Sequence, residues 1–262
     1  MKIKEITSYL EEIAPLAYQE NYDNCGLIVG DENAVVNEAL ITLDCTEAIV
    51  DEAIETGCNL VIAHHPIIFT GLKKLNGSNY VERTVIKAIK NNIAIYAIHT
   101  NLDNADNGVS AKIADKLGLK NCKILAPKDE EENPNVGSGI LGELTESVES
   151  KAFLESLKTI METDCVRHTS LVRSTINKVA VCGGSGSFLL SNAKALDADI
   201  YISADFKYHE FFDAENDLII ADIGHYESEQ FTKDLIYDLL TKNFTKFAVR
   251  LSKVNTNPIK YL

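Results

Sequence analysis

The sequence predicts an α/β fold made of two similar α/β domains, and two observations carry that expectation. Short apolar runs of strand length alternate with stretches of helical period along the chain, as layered sheets and helices require. The polar residues that can do chemistry gather just past the strand-like runs, and they do so in both halves. In the first half these bursts are His64-His65 and His99–Asp103; in the second they are Asp205 and Gly224-His225. A duplicated unit with largely parallel sheets and a shared cleft accounts for both. The acidic, loop-like stretch Pro127–Val136 marks the expected boundary between domains of residues 1–126 and 127–262, with the last helix and strand able to pack on the first domain.

Ile3, Ile6, Leu10 and Ile13 recur at helical steps, so the chain opens on an amphipathic helix. After a polar loop (Gln19–Asn24), Gly26–Gly30 and Glu38–Leu43 read as strands. Thr46 is placed to cap a helix that Gly57 ends. Leu60–Ala63 is a buried strand delivering His64 and His65 at its carboxyl end. Pro66 stops it, because proline cannot donate to a ladder and pushes the preceding residue toward an extended conformation. A helix over Tyr80–Asn91, a strand over Ile93–Ile98, a helix over Val109–Leu117 and a strand at Lys123–Ala126 follow. Past the acidic stretch, Gly139–Leu144 is strand, Lys151–Met161 helix and Lys178–Cys182 strand. The run Gly183–Ser187 could cradle a phosphate on backbone N–H groups, but it matches neither a P-loop nor a GxGxxG fingerprint, and a structural turn before a helix is the expectation. Ile200–Ser203 and Leu218–Ile223 are strands on either side of a helical Phe206–Asp213. A long helix then runs from the Gly224-His225 burst to Asn243, and Lys246–Leu251 is the last strand.

The chain has 262 residues, 45% hydrophobic and 24% charged, enough for a proper core. A net charge of −14 argues against general binding to nucleic-acid backbones, while leaving room for a locally positive nucleotide pocket. No apolar run approaches the roughly 20 residues that cross a bilayer. The opening MKIKEITSYLEEI mixes acidic with apolar residues and has no signal-peptide core. A cytoplasmic protein without a membrane partner is the expectation. The six cysteines include no CxxC pair and no zinc-finger spacing, which fits unpaired, reduced and mostly buried thiols.

Open α/β sheets form sites outside the carboxyl ends of their strands. His64, His65, His99, Asp103, Asp205, His225 and Glu229 all gather at such ends. His225 and Glu229 stand four apart at the start of a helix and so share one face. A histidine and carboxylate set of this kind suits Zn, Fe, Mn or a similar divalent metal. A set this large exceeds a four-coordinate structural zinc and fits two ions sharing a bridging carboxylate. Taken singly, each residue has a plainer reading. His64 or His65 fits a satisfied core histidine equally well, Asp103 a turn or helix cap, and His225 with Glu229 an ordinary helix N-terminal pair. His99 or His209 could shuttle protons, since imidazole titrates near neutral pH, although His209 between aromatic residues also reads as structural.

The motifs Asn21–Gly30 (NYDNCGLIVG), Ala63-His-His-Pro66, His99-Thr-Asn-Leu-Asp103, Ser203-Ala-Asp205 and Gly224-His-Tyr-Glu-Ser-Glu229 together resemble the GTP cyclohydrolase I type 2 family, also called NGG-interacting-factor-like. Tyr22 stands where tryptophan is common in that family, Cys25 where a small apolar residue is usual, and Ser203-Ala-Asp205 replaces Thr-Gly-Asp. The resemblance implies a dinuclear centre in the cleft between two α/β domains, with two divalent ions per chain. It places the ligands at His64, His65, Asp103, His225 and Glu229, the last bridging. It further implies a toroidal homohexamer and hydrolysis of a small-molecule substrate such as a nucleotide, by name opening of the guanine imidazole ring of GTP. The alternative is a metal-binding scaffold or regulatory interaction protein without turnover, consistent with the lack of a recognisable nucleotide-binding motif.

Overall fold

A computed structural model describes residues 1–129 and 133–262. The chain runs α1 (Ile3–Ile13), β1 (Gly26–Val29), β2 (Glu38–Thr42), α2 (Glu47–Thr56), β3 (Leu60–Ala63), α3 (Tyr80–Lys90), β4 (Ala94–Ala97) and a single turn, α4 (Thr100–Asp103). It continues through α5 (Val109–Lys116), β5 (Lys120–Asp129), β6 (Asn133–Glu149), α6 (Ser150–Met161), β7 (Arg167–His168) and β8 (Thr175–Ser185). The last elements are α7 (Leu190–Ala195), β9 (Ile200–Ala204), a 3₁₀ helix at Tyr208–Ala214, β10 (Ile219–Asp222), α8 (His225–Glu229), α9 (Thr232–Asn243) and β11 (Ala248–Leu251). Two compact units result: Met1–Leu102 with Thr232–Pro258, and Asp103–Phe231 with Ile259–Leu262.

The first unit holds a five-stranded sheet in the order β1-β4-β3-β2-β11. β4, β3, β2 and β11 are mutually parallel, and β1 runs antiparallel along the edge of β4. Every residue of β3 and β4 is buried, as expected of parallel strands covered on both faces. Ile3, Ile6 and Leu10 bury the apolar stripe of α1, while Ile49, Val50 and Ala53 of α2 and Val85 and Ala88 of α3 are buried on their helices. Asn79 caps α3 by accepting from the Glu82 N–H at 2.9 Å. Thr46 precedes α2 with extended backbone, but its side chain makes no capping bond, and the helix stops at Gly57 in the left-handed region (φ 78°).

The second unit holds a six-stranded sheet in the order β5-β6-β8-β9-β10-β7. Only β8, β9 and β10 are parallel; β5–β6, β6–β8 and β10–β7 pair antiparallel, so this sheet is mixed rather than largely parallel. Leu141, Ala180, Tyr201 and Ile220 contribute to its buried core. Each sheet thus contains three strands that are consecutive in the chain, adjacent and parallel: β2-β3-β4 and β8-β9-β10.

Three sequence expectations are corrected. The acidic stretch is no loop over its described part, because β5 and β6 pair across it, Pro127 opposite Gly137 and Asp129 opposite Asn133; residues 130–132 lie outside the described residues. The compact units divide at Leu102/Asp103 and Phe231/Thr232, with the last helix and strand, α9 and β11, in the first unit. The run Gly183–Ser185 continues β8, with a register irregularity between Val181 and Ser185, instead of turning the chain. The long helix breaks into α8 and α9 at Gln230 and Phe231. Both residues are anchored inside the second unit, Gln230 by an Nε2 bond to the Met161 carbonyl and Phe231 beneath the Lys116 ammonium, which lies 3.4 Å from its ring centroid. Among the described residues no helix is long and apolar enough to cross a membrane.

Candidate metal-binding residues

In the first unit, register sets three histidines side by side. Ala63 of β3 pairs with Thr42 of β2 and Ala97 of β4, so the residues just past these strands fall at one level. The ladder extends one or two residues further: the His64 and His65 amides donate to the Thr42 and Leu43 carbonyls, and the Ile98 amide donates to the Ala63 carbonyl. This brings Asp44, His64, His65 and His99 together. The ring centroids of the three histidines lie 4.9–5.2 Å apart, and each ring offers a ligand atom within 4.8 Å of the others.

Each of these rings is oriented through Nδ1. His64, fully buried, donates to the Ile98 carbonyl at 2.8 Å. His65 donates to Asp44 Oδ1 at 2.8 Å, and His99 to Asp23 Oδ1 at 2.9 Å. The acceptors are a carbonyl and two carboxylates, so Nδ1 carries the proton and the basic lone pair lies on Nε2. Metal-ligating histidines are habitually held this way. Asp23 reaches His99 because β1 is antiparallel to β4, with Gly26 opposite Ala97, and the loop before β1 therefore ends at the carboxyl end of β4. Asp23 also accepts from the Thr100 amide and hydroxyl. Burial pushes its carboxyl up, but the bonds from His99 and Thr100 outweigh that and hold it well below the usual carboxylate range.

In the second unit, Asp103 enters at the end of α4, and His225 and Glu229 occupy successive turns of α8. His225 Nδ1 donates to Asp205 Oδ2 at 2.6 Å, and its Nε2 lies 3.1 Å from Glu229 Oε2. Burial alone would lower the His225 pKa. The charge of Glu229 and the bonds to Asp205 and Glu229 prevail and raise it to about 11. Asp103 and Glu229 offer carboxylate oxygens within 4.8 Å of one another. Both face the buried Cys182 thiol, whose pKa is raised to about 12, by burial first and then by their negative charge. The glycine run makes room for this set. An added Cβ at Gly184 would stand 2.2 Å from Glu229 Oε1, so a side chain there would push the carboxylate from its place. Asp205 itself adopts a left-handed backbone (φ 58°), one of the conformations that aspartate tolerates better than most residues.

Each unit thus carries its own group of donors: His64, His65 and His99 in the first, Asp103, His225 and Glu229 in the second. Their chemistry fits a divalent ion. In the first unit the imidazoles present a basic nitrogen, and in the second the Glu229 carboxylate, 2% exposed, draws positive charge to itself, from the His225 proton or from an ion in its place. His209 does not join either group. It is exposed on the 3₁₀ helix, stacked on Phe212 with centroids 6.3 Å apart. Sequence reasoning missed Asp23 and Asp44 as partners of histidines. The available signal was that Asp44 stands just past β2, as His65 stands just past β3.

The motifs agree with comparison to known proteins. Residues 1–258 match the family Duf34/NIF3 (NGG1p interacting factor 3). The chain belongs to that family. A Clostridium acetobutylicum relative named "GTP cyclohydrolase 1 type 2 homolog" is 34% identical over 230 residues, covering 87% of this chain and 85% of its own. A Campylobacter jejuni relative of the same name is 31% identical with both chains fully covered. Among solved structures, a Staphylococcus aureus protein superposes with a TM-score of 0.90 at 28% identity, covering 100% of this chain and 99% of that one. A Bacillus cereus protein described as related to NIF3 gives 0.90 at 26%, with the same coverage.

Proposed function

We propose that this Duf34/NIF3 protein is a metal-dependent hydrolase of a nucleotide or related heterocycle, with two divalent ions held by His64, His65, Asp103, His225 and Glu229. The observation that carries the reading is the set of strand-end histidines whose Nδ1 atoms are each tied to an oxygen acceptor. Glu229, beside both Asp103 and His225, is the carboxylate suited to bridging. Divalent ions supply Lewis acidity and lower the pKa of water. The chain itself supplies orientation: Asp44 and Asp205 aim His65 and His225, and the Asp23–His99 pair suits proton transfer beside them. The exposed His209 receives no step. The shared relative name "GTP cyclohydrolase 1 type 2 homolog" makes GTP the first substrate to test. Protein loaded with Zn, Mn or Fe should release formate from GTP, and His64→Ala should lose that activity. Equal activity in both would remove these residues from the reaction.

The family's description as an interacting factor favours a second reading, a metal-binding regulatory protein without turnover. Stoichiometric metal with no product across a broad panel of nucleotides and heterocycles would select it. The homohexamer implied by the family resemblance belongs to the same proposal and is checked by light scattering on the eluting protein.

A further inference from the structure

The C-terminal segment after β11 is fastened to the first unit by a series of polar contacts. The Ser252 amide donates to the Ile41 carbonyl at 2.8 Å, extending the β11–β2 ladder. The Ser252 hydroxyl and the Lys253 amide both bond the carboxylate of Glu52 on α2. The Val254 amide returns to the Ser252 hydroxyl at 3.1 Å, and the Asn257 amide bonds Asn255 Oδ1 at 2.8 Å, closing a local turn. This path delivers Thr256 to the end of β2, where its hydroxyl donates to Asp44 Oδ2 at 2.6 Å. The other carboxylate oxygen, Oδ1, accepts from His65 Nδ1 at 2.8 Å.

We propose that Thr256 is a positioning residue for the metal ligand His65, acting through Asp44. Asp44 is about one-third exposed, which gives its carboxylate room to rotate. A hydroxyl donating to Oδ2 restricts that rotation and keeps Oδ1 facing the imidazole, by a charge-assisted bond of the stronger class. With Asp44 so fixed, the His65 proton stays on Nδ1 and the lone pair on Nε2. The last segment of the first unit therefore completes a residue about two hundred positions earlier. This inference rests on the reading of His65 as a ligand, so its test separates the two.

The experiment measures Zn²⁺ affinity by chelator competition on the full chain for wild type, Thr256→Val, Thr256→Ser and His65→Ala, together with each protein's unfolding midpoint. In the metal-free proteins, ¹⁵N shifts report the His65 tautomer. Valine keeps the branched shape and removes the hydroxyl; serine keeps the hydroxyl. Loss of the group bonded directly to a ligand, Asp44 here, typically weakens metal binding about 10–100-fold, and a residue acting through that group should cost a smaller factor, about 3–10-fold. Thr256→Val is expected to show that smaller loss and a mixed His65 tautomer at an unchanged unfolding midpoint, while Thr256→Ser restores wild-type values. If His65→Ala weakens binding and Thr256→Val does not, the positioning role is overturned and the ligand reading stands. If serine behaves like valine, the residue acts by packing and the proposal fails. If His65→Ala binds Zn²⁺ like wild type, both are overturned.

Discussion

Gly184→Ala should disable the second unit's donors without removing any of them. Gly184 lies at φ +62° in the irregular part of β8. The new Cβ would stand 2.2 Å from Glu229 Oε1, 3.1 Å from Glu229 Cδ and 3.3 Å from His225 Cε1. Atoms do not approach so closely, so the Glu229 carboxylate must leave its place. Two costs add. A residue with a Cβ in the left-handed region costs about 1–2 kcal/mol. Displacing Glu229 breaks its 3.1 Å contact with His225. A hydrogen bond to a charged group contributes about 1.5–3 kcal/mol. The substitution should therefore destabilise the metal-free protein by about 2.5–5 kcal/mol and lower its metal content. In a Glu229→Ala background the collision is absent, and only the backbone cost of about 1–2 kcal/mol should remain. Denaturant unfolding of the four metal-free proteins gives this cycle, and elemental analysis of metal-loaded wild type and Gly184→Ala gives their metal content. An equal cost in both backgrounds, or Gly184→Ala holding wild-type metal, would refute the idea that glycine is present to admit Glu229.

Asp205→Ala removes the 2.6 Å acceptor of His225 Nδ1 and should weaken Zn²⁺ binding about 10–100-fold while the circular-dichroism spectrum is kept; unchanged affinity would show that His225 needs no such partner. Ile62→Ala deletes a fully buried side chain at the centre of β3 and should cost about 2–5 kcal/mol in denaturant unfolding, with a cost near zero excluding tight packing there. Glu82, whose carboxylate accepts from the amides of Asn76 and Ser78 and from the Ser78 and Asn79 side chains, is held below its usual pKa by the Asn76 bond first, then by that of Ser78. Its contribution is thus present above the ordinary carboxylate pKa and lost as pH falls through the lowered folded value. Glu82→Gln should melt earlier than wild type at pH 7 and converge with it on strong acidification; a gap independent of pH would contradict this.

The strands were legible wherever burial on both faces wrote an unbroken apolar run, as in Leu60–Ala63, Ile200–Ile202 and Ile219–Ala221. Sheet partners were not. A hairpin through an acidic stretch looks like a surface connector, because charge and proline describe exposure and say nothing of pairing; β5 and β6 carry exposed residues on both sides of residues 130–132 and still form an antiparallel ladder. The break between α8 and α9 was hidden for a similar reason. Nothing in Gln230-Phe231 disfavours helix, and the interruption follows from where those two side chains are anchored. The glycine run was misread because a turn and a close approach place the same demand on the sequence, a residue without a Cβ.

The candidate ligands stood out because a histidine after four apolar residues is conspicuous, whereas their acceptors are ordinary aspartates and a carbonyl. The structure gives these acceptors a common origin. His65 on β3 is held by Asp44 past β2, and His64 by Ile98 past β4. His99 past β4 is held by Asp23 before the antiparallel β1, and His225 past β10 by Asp205 past β9. In every case the acceptor belongs to the adjacent strand of the sheet, at the same end. β3 has no side-chain acceptor of its own to offer its histidines, so the neighbour at equal height is the nearest source. The pairing is therefore encoded in strand order and register, and a one-residue slip between β2 and β3 would move Asp44 from the level of His65 while leaving both strands intact.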